Sequence, residues 1–388
     1  MSVTAINNDS LRKTFQKFFG QEPLLVRSPG RVNIIGEHTD YNQGFVLPAA
    51  IDKAAYVAVA LNKLPLIRLY SVEYDQRIDF PLEVLKPSDL SWPNYVLGVA
   101  DQLRKDGVEL QGFDLVLDAD IPIGAGLSSS AAVECAVVFA LNSLYGLGME
   151  RMKMVKLAQL AEHQFAGVMC GIMDQFASMF GKKDHVVRLD CRSLQYEYIP
   201  LRLEGMQLLL LNTNVKHSLA GTAYNKRREE CEQGVSWVNE IYPGTTSLRD
   251  VTPEQLSSIV KPKDELIYTR CSFVVEENLR LLAACDNLLQ GNMKGLGEKM
   301  FRTHEGLSKE YEVSCRELDV LVNAVKNEPA VLGARMMGGG FGGCTINLVK
   351  KDAVDAFEQK MKAAYQEKYQ IDLPCYKVKI TTGTEEII

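Results

Sequence analysis

The sequence predicts a two-domain α/β (α+β) protein. Three observations carry this prediction: strand-like alternation interleaved with amphipathic helical stretches, a shift to long charged helices beyond residue 200, and a length of 388 residues. At about 100 to 200 residues per domain, that length holds two domains with a core each. The boundary is expected near residue 200, giving an N-terminal unit over 1–200 and a C-terminal α+β unit over 201–388, whose last segment can return to the first.

Asp9 or Ser10 is suited to cap a first amphipathic helix reaching Phe19, which Gly20 and Pro23 end. Residues 24–28, 54–61 and 66–71 read as strands, a polar, proline-marked stretch leads to a helix over 94–103, and 112–117 is a further strand. A small-residue loop over 122–130 precedes an apolar helix over 131–144. A second helix covers 153–166, and a glycine-marked connection over 167–174 leads to 175–180. Strands are expected at 185–189 and at the very apolar 206–211. Helices over 225–241, 273–289 and 293–310 follow, then a glycine-rich turn over 335–343, a strand at 344–349 and a helix over 352–367. The chain has no internal repeat or low-complexity tract.

Composition narrows the function classes. With 46% hydrophobic and 24% charged residues, the chain matches soluble globular proteins rather than disordered or membrane ones. The net charge of −6 leaves no basic footprint for nucleic acid or an anionic bilayer, so an anionic ligand must find local donors. Nine cysteines without a CxxC suggest free thiols in a reducing cytosol rather than zinc or disulfides. The N-terminus has no apolar leader core, and no run reaches the roughly 18 apolar residues of a membrane span. A cytoplasmic location is expected, and a monomer is compatible with the sequence.

Residues 30–44, GRVNIIGEHTDYNQG, crowd Arg31, Glu37, His38, Asp40 and Asn42 beside three glycines. Glu37 and Asp40 can accept from sugar hydroxyls, His38 can donate or accept, and Arg31 offers a fixed cation. A solvated loop with an internal Arg31–Asp40 pair, or a metal site on Glu37, His38 and Asp40, are the competing readings. The spacing matches no HExxH-like ligand set.

The segment PIGAGLSSSAA, residues 122–132, sets Gly124 and Gly126 ahead of three serines and a helix. Glycines let backbone N–H groups curl around an anion, and a helix start adds positive potential. It is neither a Walker A loop, lacking the lysine, nor a nucleophile elbow, because Ser130 stands where GxSxG needs glycine. The plainer reading is a small-residue turn with a serine cap. In AEHQFAGVMCGIMDQF, residues 161–176, Glu162 and Asp174 stand twelve residues apart across a loop, so that one can hold a metal while the other receives or orients a hydroxyl proton. The run MGGGFGG satisfies GxGxxG through Gly338, Gly340 and Gly343, but a strand follows it where a dinucleotide fingerprint needs a helix. A tight turn beside the cleft is expected there.

GRVNIIGEHTDYNQGFVLP, PIGAGLSSSAA and RMMGGGFGGCT, in that order, resemble the three signature motifs of the family named for galactokinase, homoserine kinase, mevalonate kinase and phosphomevalonate kinase. The first motif is similar to that of the galactokinase branch almost residue for residue, and the similarity spans nearly the whole chain. The resemblance implies a two-domain kinase with its active site in the interdomain cleft, using ATP and Mg²⁺ to phosphorylate the anomeric hydroxyl of galactose. It implies that Asp174 is the catalytic aspartate and Arg31 the basic residue beside it. Glu37, His38, Thr39, Asp40, Gly171 and Tyr224 would contact sugar. Gly124, Ala125, Gly126, Leu127, Ser128, Ser129 and Ser130 would form the phosphate loop, with Ser130 and Glu162 holding Mg²⁺ and Ser71, Trp92 and Tyr95 on the adenine side. A kinase for N-acetylgalactosamine or another sugar, or a galactose-sensing regulator without turnover, are the alternatives.

Overall fold

The structure, a computed structural model, describes residues 6–122, 124–216 and 220–388. Ile123 of the small-residue loop and the first five residues of the N-terminus lie outside the described residues. The strands are β1 (Leu24–Asn33), β2 (Phe45–Val46), β3 (Pro48–Leu61), β4 (Leu66–Ser71), β5 (Gln76–Pro81), β6 (Phe113–Ala119), β7 (His185–Asp190), β8 (Tyr196–Pro200), β9 (Met206–Lys216), β10 (Val331–Met336), β11 (Gly342–Lys350), β12 (Cys375–Val378) and β13 (Glu385–Ile387). The helices are α1 (Asn8–Phe19), α2 (Ser91–Lys105), α3 (Ser129–Tyr145), α4 (Arg151–Ala161), α5 (Met173–Phe180), α6 (Ala220–Asn239), α7 (Pro253–Gln255), α8 (Glu265–Leu289), α9 (Met293–Lys309), α10 (Arg316–Val325) and α11 (Val354–Tyr369).

One mixed sheet runs β13-β1-β3-β6-β4-β5. Its side chains follow the two-residue period of a pleated strand. From β3, Ala55, Val57 and Val59 enter the main core with Leu69, Leu115 and the apolar side of α3. Ala54, Tyr56 and Ala58 face the other way, where Leu11 and Phe15 of α1 cover them. Asn7, rather than Asp9 or Ser10, caps α1: its side chain accepts from the Asp9 N–H. The β4–β6 pair is parallel, because α2 carries the chain across between β5 and β6.

A second, antiparallel sheet runs β10-β11-β9-β12. Leu208 and Leu210 of β9 point into the main core. Leu209 and Leu211 point into a separate cluster with Leu321, Val322, Phe357 and Met361. Both faces of β9 are thus covered, which is why its sequence is an unbroken apolar run. A small sheet, β2-β7-β8, completes the strands. At the end of the chain β13 pairs with β1, Val26 opposite Glu386. Among the described residues no helix is long and apolar enough to cross a membrane.

Several boundaries differ from the sequence reading. β1 continues to Asn33, so Arg31 stands on a strand. α4 ends at Ala161 and continues as a π-helical turn over Glu162–Ala166, a distortion frequent at functional sites. α5 starts at Met173, which puts Asp174 in its first turn. Arg335 and Met336 belong to β10 rather than to the glycine turn.

Candidate active site

The β1–β3 register shifts between Pro29 and Arg31, an irregularity of the kind that re-aims a side chain. Arg31 therefore reaches α5, where its Nε donates to Asp174 Oδ1 at 2.8 Å and its Nη2 to Asp174 Oδ2 at 2.9 Å. This two-pronged pairing is the strong form of an arginine–carboxylate contact. The partner of Arg31 is thus Asp174 and not Asp40. Arg31 Nη1 also donates to the Gly126 carbonyl at 2.6 Å, and the Ser128 hydroxyl donates to Asp174 Oδ2. The small-residue loop, β1 and α5 are thereby tied together at one carboxylate.

That carboxylate borders a cavity of about 340 Å³, within the roughly 300–1,000 Å³ of small-molecule sites. Glu37, His38 and Asp40 line one side, Cys170 and Gly171 another, and Tyr224 with the 338–341 turn closes it from the second half of the chain. Burial alone would raise the Glu37 pKa, but the guanidinium groups of Arg335 and Arg31 and the Gly338 N–H bring it below its ordinary value. Glu37 Oε1 accepts from Arg335 Nη2 at 2.9 Å and from Gly338 N–H at 2.8 Å. Burial pushes His38 down to about 4, so its ring is neutral. Burial and then the neighbouring Asp174 push Asp40 up to about 7. A Cβ on residue 171 would overlap Asp40 Oδ2, so glycine is required at that point. Thr39 turns inward, its hydroxyl held at the Gly36 and Phe45 carbonyls, and does not line the cavity.

The loop before α3 carries left-handed backbone at Gly124, Gly126 and Ser128, and Ala125 and Leu127 are its buried anchors. No side chain caps α3, so its first N–H groups have no intrahelical acceptor and remain available to an anion. Ser129 and Ser130 form its first turn. Ser130 Oγ donates to Glu162 Oε1 at 2.8 Å, while Gln175 Nε2 bridges Glu162 Oε2 at 2.6 Å and Glu134 Oε2 at 3.2 Å. Burial and then the charge of Glu162 raise the pKa of Glu134 well above its ordinary value, while burial and then the charge of Asp174 raise that of Glu162. Glu134 is fully buried, and its Oε1 has no partner.

Ser71, Trp92 and Tyr95 lie outside the cavity. Ser71 is buried, Trp92 Nε1 donates to Gln76 Oε1 at 3.0 Å with its ring stacked on Tyr74, and the Tyr95 phenol is pushed up to about 12 by burial and then by Glu162.

Sequence reasoning missed Arg335, Glu134 and Gln175, whereas the tight turn expected beside the cleft at 337–343 supplies the 338–341 wall of the cavity. Two of these had a legible signal. A lone charge within an apolar helix (Glu134 in AAVECAVV) or strand (Arg335 in VLGARMM) must find a partner or change protonation, and so marks a built site.

Models of known families match three segments: the galactokinase galactose-binding signature over residues 13–61, the GHMP kinases N terminal domain over 94–182, and the GHMP kinases C terminal region over 284–367. A galactokinase of Thermotoga neapolitana is 40% identical over 365 residues, which is 94% of this chain and 100% of that protein. The crystal structure of the Lactococcus lactis galactokinase complexed with galactose matches with a TM-score of 0.93 and 35% identity, covering 98% of this chain and 99% of the other. A mevalonate kinase of Methanococcus jannaschii, at 18% identity, TM-score 0.63 and coverage of 93% and 99%, shares the fold. The signature covers the segment that builds the polar side of the cavity, and the N-terminal domain covers the loop, Glu162 and Asp174: the chain belongs to the galactokinase family, within the GHMP kinases.

Proposed function

We propose that the cavity binds α-D-galactose and that the chain transfers the γ-phosphoryl group of ATP to its C1 hydroxyl, giving galactose 1-phosphate and ADP, the first step of galactose breakdown. The observation that carries this reading is the Arg31–Asp174 pair, which joins a polar, sugar-sized cavity to a glycine-rich loop at a helix start. Asp174 accepts or orients the C1 hydroxyl proton, and Arg31 stabilises the charge that develops on the transferred group. Glu37, His38, Asp40, Gly171 and Tyr224 surround the sugar, with Thr39 holding their turn in shape. Gly124, Ala125, Gly126, Leu127, Ser128, Ser129 and Ser130 cradle the phosphates, and Ser71, Trp92 and Tyr95 lie on the adenine side.

The oxygen-only set of Ser130 and Glu162, beside the unpartnered Glu134 oxygen, fits Mg²⁺. Among the described residues no group of three or more His, Cys, Asp or Glu forms a metal cage, which suits an ion held mainly by phosphate oxygens and water. When bound, Mg²⁺ neutralises charge on the phosphates; Ser130 and Glu162 would hold it and Gln175 would fix the Glu162 rotamer. A division into domains near residue 200, a cytoplasmic location and a monomeric state belong to the same reading.

A sugar panel tests it. ADP formation with Mg-ATP should give a higher kcat/KM for galactose than for glucose or N-acetylgalactosamine, and the reverse order would end the substrate assignment.

The raised pKa of Asp40 gives a pH signature. The carboxylate form accepts from sugar hydroxyls, so galactose affinity should be full above pH 7 and fall as pH drops through about 7, approaching tenfold per pH unit for a single group. The sign is opposite for the free protein. A carboxyl whose folded pKa lies above its ordinary 3.8 contributes stability below that value and loses it as pH rises through 7. Calorimetric titration with galactose from pH 5.5 to 8.5 reads the first effect, and Asp40→Asn should flatten it.

A further inference from the structure

We propose that Arg227 and Arg270 are positioning residues for the cavity: buried behind its wall, they clamp three successive backbone carbonyls and thereby set Gly340, Phe341 and Tyr224 where the ligand meets them. The inference deepens the sugar reading of the cavity and rests on it.

The clamp joins three helices. Arg227 stands on α6, one turn after Tyr224, and Arg270 on α8; both are buried, at 8% and 2% exposure. The segment that follows α9 packs against both. Arg270 Nη1 donates to the Glu310 carbonyl, Arg227 Nε to the Tyr311 carbonyl at 2.6 Å and Arg227 Nη2 to the Glu312 carbonyl at 3.4 Å. Two carboxylates balance the two cations. Glu230 Oε2 accepts from Arg227 Nη1 at 2.9 Å and lies 3.5 Å from Arg270 Nε, while the exposed Glu312 carboxylate pairs with Arg270 Nη2.

Neither guanidinium lines the cavity, but what they hold supports its wall. The next carbonyl of the segment, Val313, accepts from the Phe341 N–H at 2.8 Å, and a Cβ at position 340 would overlap it. Gly340 and Phe341, both cavity residues, therefore rest directly on the clamped segment. The Tyr224 ring lies against Gly339 of the same turn, 3.5 Å from where a Cβ would stand, and the Tyr311 ring backs His38 with centroids 5.1 Å apart.

The segment does not keep this shape by local preference. Glu312 has left-handed backbone, φ 51°, which a residue with a Cβ holds only where its surroundings impose it. Planar guanidinium groups, each reaching a carboxylate and a carbonyl at once, supply that constraint. The ends of the glycine turn are held separately. Gly338 N–H donates to Glu37 Oε1 at 2.8 Å and Met337 N–H to the Cys344 carbonyl at 3.0 Å. Gly338 and Gly343 pack there on Gly126 and Ala125 of the phosphate loop. Losing the clamp should thus release the middle of the turn and spare the nucleotide side.

The test is Arg227→Ala in the full chain, read by hydrogen exchange of backbone amides without ligand. Calorimetric titrations of galactose and of a non-hydrolysable ATP analogue with Mg²⁺ accompany it, all below the denaturation midpoint. The Phe341 amide should lose protection while Gly338 keeps its own. Galactose should bind about 5- to 10-fold more weakly, the value of one hydrogen bond, with nucleotide affinity unchanged. In turnover, KM for galactose should rise with kcat nearly kept, the mark of lost ground-state binding. Arg68→Ala breaks the Arg68–Asp114 pair of the first sheet and is the control: it should lower the midpoint but leave Phe341 exchange and galactose affinity as they were. Arg227→Lys keeps the charge beside Glu230 but not the planar fork; it should act in the same direction, and serves if the alanine variant fails to fold. Unaltered Phe341 exchange, unaltered affinity in a chain that binds galactose, or an equal galactose loss in Arg68→Ala would overturn the proposal. Loss of Phe341 protection in the variant, with no galactose binding even by the wild type, would uphold the clamp and remove the sugar reading instead.

Discussion

Asp174→Asn should lower kcat for galactose phosphorylation by about 10²- to 10⁴-fold, the range lost with a general base, while galactose still binds. The carboxylate sits where three donors meet, Arg31 Nε, Arg31 Nη2 and Ser128 Oγ. An amide keeps the shape but gives up the negative charge and one acceptor. It also leaves Arg31, only 4% exposed, without its counter-charge, so the guanidinium loses the orientation that points it at the reacting group. Arg31→Ala should reach a similar floor by another route, because it also cuts the tie to Gly126 and loosens the phosphate loop. The double variant should cost little more than either single one, since residues acting as a unit are not additive. Initial rates of ADP formation, with galactose titration as the control for folding, read all three. Wild-type kcat in Asp174→Asn would remove Asp174 from the chemistry.

Arg335→Ala should have the largest effect on stability, about 3–5 kcal/mol, the usual result of stripping the partner from a buried charge. Arg335 is fully buried and binds Glu37 together with the carbonyls of Asn33, Ile34 and Met336. It therefore fastens β10 to the end of β1 and to the first motif at once. Without it Glu37 keeps the Gly338 N–H but loses its nearest cation, and galactose affinity should fall along with the denaturation midpoint. Adding Glu37→Gln to Arg335→Met removes the stranded charge and should recover part of the loss. A urea midpoint unchanged in Arg335→Ala would show that the pair contributes nothing.

The two variants probe different layers of legibility. Arg31, Glu37, His38, Asp40 and Asp174 could be named from sequence because their chemistry is crowded into short segments whose local backbone is set by glycines. Gly171 is an instance: its lack of a Cβ is what admits Asp40. The apolar periods of α1, β3 and β9 were equally readable, since each reflects burial on a defined face. Strands β5, β8, β10, β12 and β13 were not. They are short and half-exposed, or carry glycine and charge, and β12 and β13 pair with strands distant in sequence, β9 and β1. Thr39 shows the converse limit. It sits in the middle of the polar motif, yet its hydroxyl is spent on the Gly36 and Phe45 carbonyls.

By itself, the sequence determined the two-domain α/β (α+β) class, the galactokinase family resemblance and the polar groups that meet at the cavity, because these depend on residue type and local spacing. Only the tertiary structure decided who pairs with whom: Arg31 with Asp174, Glu37 with Arg335, Glu162 with Ser130 and Gln175, and His38 with Tyr41. The reason is physical. Ion pairing, desolvation and hydrogen-bond direction act through space over a few ångströms, and residues 31 and 174, or 37 and 335, reach that distance only when the sheets and helices between them have packed.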